Sequence, residues 1–117
     1  MVAGGAFGPV KVTNNVVLKN VVTGGFLPGI SLHAFGPGVI SGTQLIGNVL
    51  SHNGAWEISK QTTGVEIFAV PNVGTIARTQ ILKDSVSDDY YGVFHTGDTG
   101  THIANLTTNG VTVPVFP

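Results

Sequence analysis

Asp88, Asp89, Tyr90 and Tyr91 form the densest cluster of chemistry-bearing residues in this 117-residue chain. Paired carboxylates can bind calcium or share a proton, and exposed aromatic rings can stack on the flat faces of sugars. Trp56 and Glu57 supply another aromatic ring and another carboxylate in a long loop earlier in the chain. No Arg or Lys accompanies the cluster, since Lys83 and Arg78 lie on other stretches. Trp56, Glu57, Asp88, Asp89, Tyr90 and Tyr91 therefore read as a ligand-binding set, with a polar turn carrying exposed rings as the plainer alternative. No catalytic residue is assigned.

The histidines are the other candidates. A zinc site needs three or four ligands converging within about 2.3 Å of the ion. His95 and His102 flank Thr-Gly-Asp-Thr-Gly-Thr, a turn-rich loop able to bring them together with Asp98, and His33 is placed a repeat or two from His95 on the same strand face. Solvated loop histidines are commoner than such sites, so neither a metal nor a cofactor is expected. Glu66 alternates with Val65 and Ile67 and should point outward. Asn105-Leu-Thr107 fits a glycosylation sequon, a tripeptide frequent by chance.

The composition limits what these residues can belong to. The chain is 42% hydrophobic and 9% charged, with 17 Gly and 6 Pro. An average soluble domain carries roughly 25% charged residues, so this surface has few. Abundant Val, Ile and Leu exclude a disordered chain. The length fits a single domain spanning residues 1–117. Net charge is −1, and Lys11, Lys19, Lys60, Arg78 and Lys83 are scattered, which argues against nucleic acid as a partner. No apolar run approaches the roughly 20 residues of a membrane span, so no membrane partner is expected. The opening Met-Val-Ala-Gly-Gly-Ala reads as an expression start. With no Cys there is no disulfide framework and no thiolate metal site, which leaves the compartment open.

What positions the candidates is a repeat. Val17–Thr23, Leu45–Ser51 and Ile81–Ser87 align without gaps as apolar, apolar, variable, Asn/Asp, variable, apolar, Ser/Thr. Each is preceded by a β-branched anchor (Val12, Ile40, Ile76) and followed by Gly and a β-branched residue: Gly29-Ile30, Gly64-Val65 and Gly92-Val93. A partial fourth copy begins at Ile103. The repeats run approximately 10–37, 38–73 and 74–100, with the partial one at 101–117, and the second is lengthened by the loop from Ser51 to Gly64. Apolar residues alternate within stretches of four to six, with no helical spacing. Short strands at this period mean a solenoid, and the aromatic signatures of propeller blades are missing. The Asn20/Asn48/Asp84 column reads as a tight corner in the left-handed backbone region, its side chains stacking into a hydrogen-bonded ladder. Asp84 interrupts that ladder, because an ionised carboxylate accepts but does not donate.

Leu45-Ile-Gly-Asn-Val-Leu-Ser-His-Asn-Gly54 resembles the Ile-x-Gly-Asn-x-Ile-Ser-x-Asn-Gly repeat of right-handed parallel β-helix proteins, the pectate-lyase-like family. Thr63-Gly-Val-Glu-Ile-Phe68 and Tyr91-Gly-Val-Phe-His95 resemble the Gly-Ile-x-Ile strand of that repeat. The resemblance covers roughly residues 10–106. It implies an all-β fold, a short single-stranded right-handed parallel β-helix (a β-solenoid) of three to four coils. It also implies secretion and a link to polysaccharide, although active members are generally much longer.

If Val17, Leu45 and Ile81 point inward, then Leu18, Ile46 and Leu82 point outward, where the repeats of the resembled family usually carry a polar residue. Val21 and Val49 lie beside them. The alternative is a turn after Val17 that folds both residues inward. An outward stripe of this kind marks an interface, so Leu18, Val21, Ile46, Val49 and Leu82 are assigned to self-association as a cyclic homo-oligomer, with a trimer favoured. The glycine-rich start and Val111–Pro117 are expected to cover the solenoid ends, with Pro114 and Pro117 blunting further strand pairing.

Overall fold

A computed structural model describes residues 2–3 and 10–117. Within each repeat the backbone turns at every fifth residue. Asn14, Lys19 and Gly24 have positive φ, as do Gly42, Gly47 and His52, then Arg78, Lys83 and Asp88, and finally Gly100, Asn105 and Gly110. A single residue in the left-handed region reverses the chain's curvature locally, so each short strand ends in a corner. The repeat thus contains a shorter unit: a strand of three residues with its middle side chain inward, a left-handed corner, and an inward polar residue. The Asn20 column was expected to be that corner. The structure places the corner one residue earlier, at Lys19, Gly47 and Lys83, which leaves the Asn and Asp side chains free to turn into the coil.

After β1 (Val2–Ala3), the first coil runs through β2 (Lys11–Thr13), β3 (Val16–Leu18), β4 (Val21–Thr23) and β5 (Ile30–Ala34). The second has β6 (Val39–Ser41), β7 (Gln44–Ile46), β8 (Val49–Ser51) and β9 (Thr63–Ala69). The third has β10 (Thr75–Ala77), β11 (Gln80–Leu82), β12 (Ser85–Ser87) and β13 (Tyr91–Thr96), and the fourth has β14 (His102–Ala104), β15 (Thr107–Asn109) and β16 (Val113–Phe116). Equivalent strands pair in parallel from coil to coil. Sheet I is β2-β6-β10, sheet II is β3-β7-β11-β14, sheet III is β4-β8-β12-β15, and sheet IV is β1-β5-β9-β13-β16. The molecule is an all-β parallel solenoid with four sides.

The register sets the core. Val12, Ile40 and Ile76 stack on sheet I; Val17, Leu45, Ile81 and Ile103 on sheet II; Ile30, Val65, Val93 and Val115 on sheet IV. Fourteen of the buried apolar side chains form one cluster down the axis. Each coil therefore buries its apolar residues against the neighbouring coils, at roughly 25 cal/mol per Å² of apolar surface.

Gly29, Gly64 and Gly92 enter sheet IV in one column because the space beside them is taken. A Cβ on Gly64 would stand 2.5 Å from Val86 Cγ1 and 2.8 Å from the Gly92 carbonyl oxygen.

At the far end, Val111–Pro117 does not fold across the coil as expected. Its strand continues sheet IV, and Ile103, Leu106, Val111 and Val115 are only partly buried. Val113 donates to the Tyr90 carbonyl at 2.8 Å, so by alternation the next backbone nitrogen faces the free edge. That residue is Pro114, which has no proton to offer a further strand. The glycine-rich start at 4–9 lies outside the described residues.

Candidate functional site

The outward residues of sheet II stack as Leu18, Ile46, Leu82 and Ala104, with Val16, Gln44, Gln80 and His102 in the parallel column. Gln44 Nε2 donates to Gln80 Oε1 at 3.1 Å, so polar and apolar ladders run side by side. Around the next corner, Val21 and Val49 stack on sheet III. Leu18 is 51% exposed and Val21 73%, with Val16 and Val49 also exposed and Ile46 and Leu82 half-buried. The alternative turn after Val17 is absent, and the stripe faces out. It is most apolar on the first two coils and gives way to Ser85, Thr107 and His102 below.

The inward face of the corner between sheets II and III carries the expected ladder. Asn20 donates its backbone N–H and side-chain amide to Asn48 Oδ1, and Asn48 donates the same two groups to Asp84 Oδ1 at 2.7 and 3.1 Å. Asp84 does not interrupt the ladder but ends it. It only has to accept, because the fourth coil offers Leu106 at that position. Five residues further on there is a shorter second ladder, in which Asn53 donates its backbone N–H to Asp89 Oδ1 at 2.7 Å and its amide to Asp89 Oδ2 at 3.4 Å. Burial pushes both Asp84 and Asp89 above the usual carboxylate range, while hydrogen bonds from Asn48 and Asn53 pull them partly back.

The second ladder separates the carboxylates that were expected to act as a pair. Asp89 is buried and faces the core, whereas Asp88 is exposed at the left-handed corner with His52 Nε2 3.6 Å from its Oδ2. Tyr90 is exposed, and Tyr91 packs edge-on against it and against Phe94. Phe94 stacks in parallel on Phe116, at 4.8 Å between ring centres. Trp56 is half-buried and lies against His33, and Glu57 beside it is exposed. Of the six residues expected to form one site, Glu57, Asp88 and Tyr90 are exposed where sheet III passes into sheet IV. Asp89 belongs to the interior.

One pair was not legible beforehand. Glu66 does point away from the core, but the loop from 52 to 62 carries Trp56 over that face and Glu66 is 0% exposed. Its Oε1 lies 2.8 Å from His33 Nε2, which is also buried. Glu66 Oε2 and Trp56 Nε1 are both buried without a hydrogen-bond partner. The available signal was the extra length of this loop directly before the strand that carries Glu66.

The grouping of histidines that a zinc site would need is only partly formed. His95 Nδ1 lies 3.0 Å from Asp98 Oδ1, and Thr101 also donates to Asp98, whose side chain is buried. His102 stands on the outer face of sheet II instead, because it pairs in register with Gln80. His95 aligns with Ile67 and hence with Leu32, so His33, one residue further on, lies on the opposite face of the sheet from His95. No group of three or more potential metal ligands occurs among the described residues. Asn105, the sequon residue, is exposed at its corner.

No family model, curated protein or solved structure matches the chain.

Proposed function

We propose that the chain is a non-enzymatic structural module that associates with copies of itself through the stripe on sheets II and III. The observation that carries this reading is the exposure of Leu18, Val21 and Val49 beside half-buried Ile46 and Leu82, in register over successive coils. Exposed apolar side chains stacked over successive coils in this way mark a contact surface. A stable interface needs about 800 Å² from each partner, and two of the four sides of the solenoid can contribute to it. Pro114 removes one backbone donor from the edge of sheet IV, which weakens further strand pairing there and favours contact through the sides. Side-by-side association gives a cyclic oligomer if the rotation closes, and a trimer is the proposed form.

Sedimentation velocity over a wide concentration range tests this. The expected result is an oligomer that Ile46→Lys dissociates with its circular dichroism unchanged. A monomer at every concentration would overturn the proposal.

A second reading, polysaccharide binding, is favoured by the aromatic ledge of Tyr90, Tyr91 and Phe116 on the outer side of sheet IV. Glu57 and Asp88 are the exposed carboxylates nearest in sequence to Trp56 and Tyr90. A glycan array with no binder, together with a melting temperature indifferent to calcium, would remove this reading.

A further inference from the structure

Burial makes the surface of this chain far more polar in its charge distribution than the net charge of −1 suggests. Of the six side-chain carboxylates, Glu66, Asp84, Asp89 and Asp98 are buried, whereas all five Lys and Arg residues are exposed. Lys19 and Lys83 stand on the corner between sheets II and III, in the middle of the stripe. Arg78 stands on the corner before it, its Nη2 donating to Ser41 Oγ at 2.8 Å. No side-chain carboxylate is exposed on sheets I to III or on the two corners that join them. The apolar stripe is therefore also a cationic one. Two stripes placed face to face would oppose lysine to lysine, an arrangement that like-charge repulsion disfavours.

The two exposed carboxylates, Glu57 and Asp88, both lie on the shoulder where sheet III passes into sheet IV. The same shoulder carries Phe26, which is 98% exposed, and Leu27. It forms one surface across three coils, because Gly54 donates to the Leu27 carbonyl at 3.0 Å and Tyr90 donates to Thr62 Oγ1 at 2.8 Å. Lys60 shares it and moderates its negative charge, and His52 Nε2 lies 3.6 Å from Asp88 Oδ2.

We infer that the shoulder of one copy, not its stripe, is the surface that occupies the stripe of the next. This rests on the self-association reading. When copies lie parallel the two surfaces match on the first and third coils, while Glu57 on the second meets no lysine, since Gly47 forms that corner of the stripe. In the first coil, Phe26 faces Leu18 and Val21. In the third, Asp88 faces Lys83. An antiparallel pairing would set Asp88 against the Lys19 level and keep a charge pair. It would, however, set Phe26 against half-buried Leu82 and Ser85 and lose the match with exposed Leu18 and Val21. The contact is heterologous, each copy giving its stripe to one neighbour and its shoulder to the other, which forms a ring where the rotation closes and an open filament where it does not.

A charge swap tests this. Lys is accommodated at the left-handed corner by Lys19 and Lys83 themselves, so Asp88→Lys preserves the backbone. The midpoint concentration of assembly is read by sedimentation velocity, with thermal melts as a folding control. Lys83→Glu alone and Asp88→Lys alone should each raise it about tenfold, and both together in one chain should restore it, because the pair across the contact is then reversed. Phe26→Ser should also weaken assembly. If Asp88→Lys and Phe26→Ser change nothing while Ile46→Lys dissociates the oligomer, the stripes meet each other and the inference is wrong. If the unaltered chain is a monomer throughout, the self-association reading itself fails.

Discussion

Asn48 gives both its backbone N–H and its side-chain amide to a single oxygen of Asp84, at 2.7 and 3.1 Å, and the other oxygen of Asp84 is buried with no partner. One coil earlier, the Asn48 amide also reaches the Val17 carbonyl at 3.0 Å. By register, an amide at position 84 would face the Leu45 carbonyl. Asp84→Asn should therefore stabilise the protein by about 1 kcal/mol, by removing a buried carboxylate oxygen without a partner and adding a hydrogen bond. Urea unfolding at neutral pH measures this, and a loss of stability would show that the ladder needs the carboxylate.

The same burial sets a pH dependence with an unusual sign. Burial raises the Asp84 and Asp89 carboxyls above their ordinary range, so in that window the folded state binds more protons than the unfolded one. Their stabilising contribution is fully present below the ordinary aspartate value and is lost as pH rises through the raised folded values. Between about pH 7 and about pH 4 the protein should gain stability on acidification relative to an Asp84→Asn/Asp89→Asn double variant, which lacks both titrations. Parallel denaturation curves for the two proteins would expose the idea as wrong.

Beneath the Trp56 loop, removal of His33 leaves Glu66 buried without its one hydrogen-bond partner. His33→Ala should destabilise by about 3 kcal/mol or more. Glu66→Gln keeps a group able to bond to His33 and should cost only about 1 kcal/mol. Chemical denaturation compares the two, and equal losses would mean that the pair contributes only packing.

Gly64→Ala places a methyl group into space held by Val86 and the Gly92 backbone, and should destabilise by about 2 kcal/mol. Gly24 has φ of +69° and nothing within 4 Å of an added Cβ, so Gly24→Asn should stay within about 0.5 kcal/mol of the parent. Melting temperatures that fail to separate the two variants would contradict the packing described for sheet IV.

The solenoid was legible because its register is written in side chains one coil apart. Val17, Leu45 and Ile81 align without gaps in the sequence and stack in the fold, and Asn20, Asn48 and Asp84 do the same, because parallel in-register strands must carry like residues on like faces. The outward stripe followed from the same alternation. The five-residue spacing of corners was harder to see, because Lys19, Lys83, Arg78, His52 and Asp88 occupy backbone positions usually marked by Gly or Asn.

What the sequence left open was decided by the loops and by the direction of each corner. Asp88 and Asp89 are neighbours in the chain, yet the left-handed turn at Asp88 sends one carboxylate to solvent and the other to the core. Glu66 points outward as its alternation demands, but a loop that no strand periodicity describes folds over it and pairs it with His33. Sequence periodicity fixes which face of a strand a residue occupies. Whether that face meets water depends on what packs over it, and only the tertiary structure determines that.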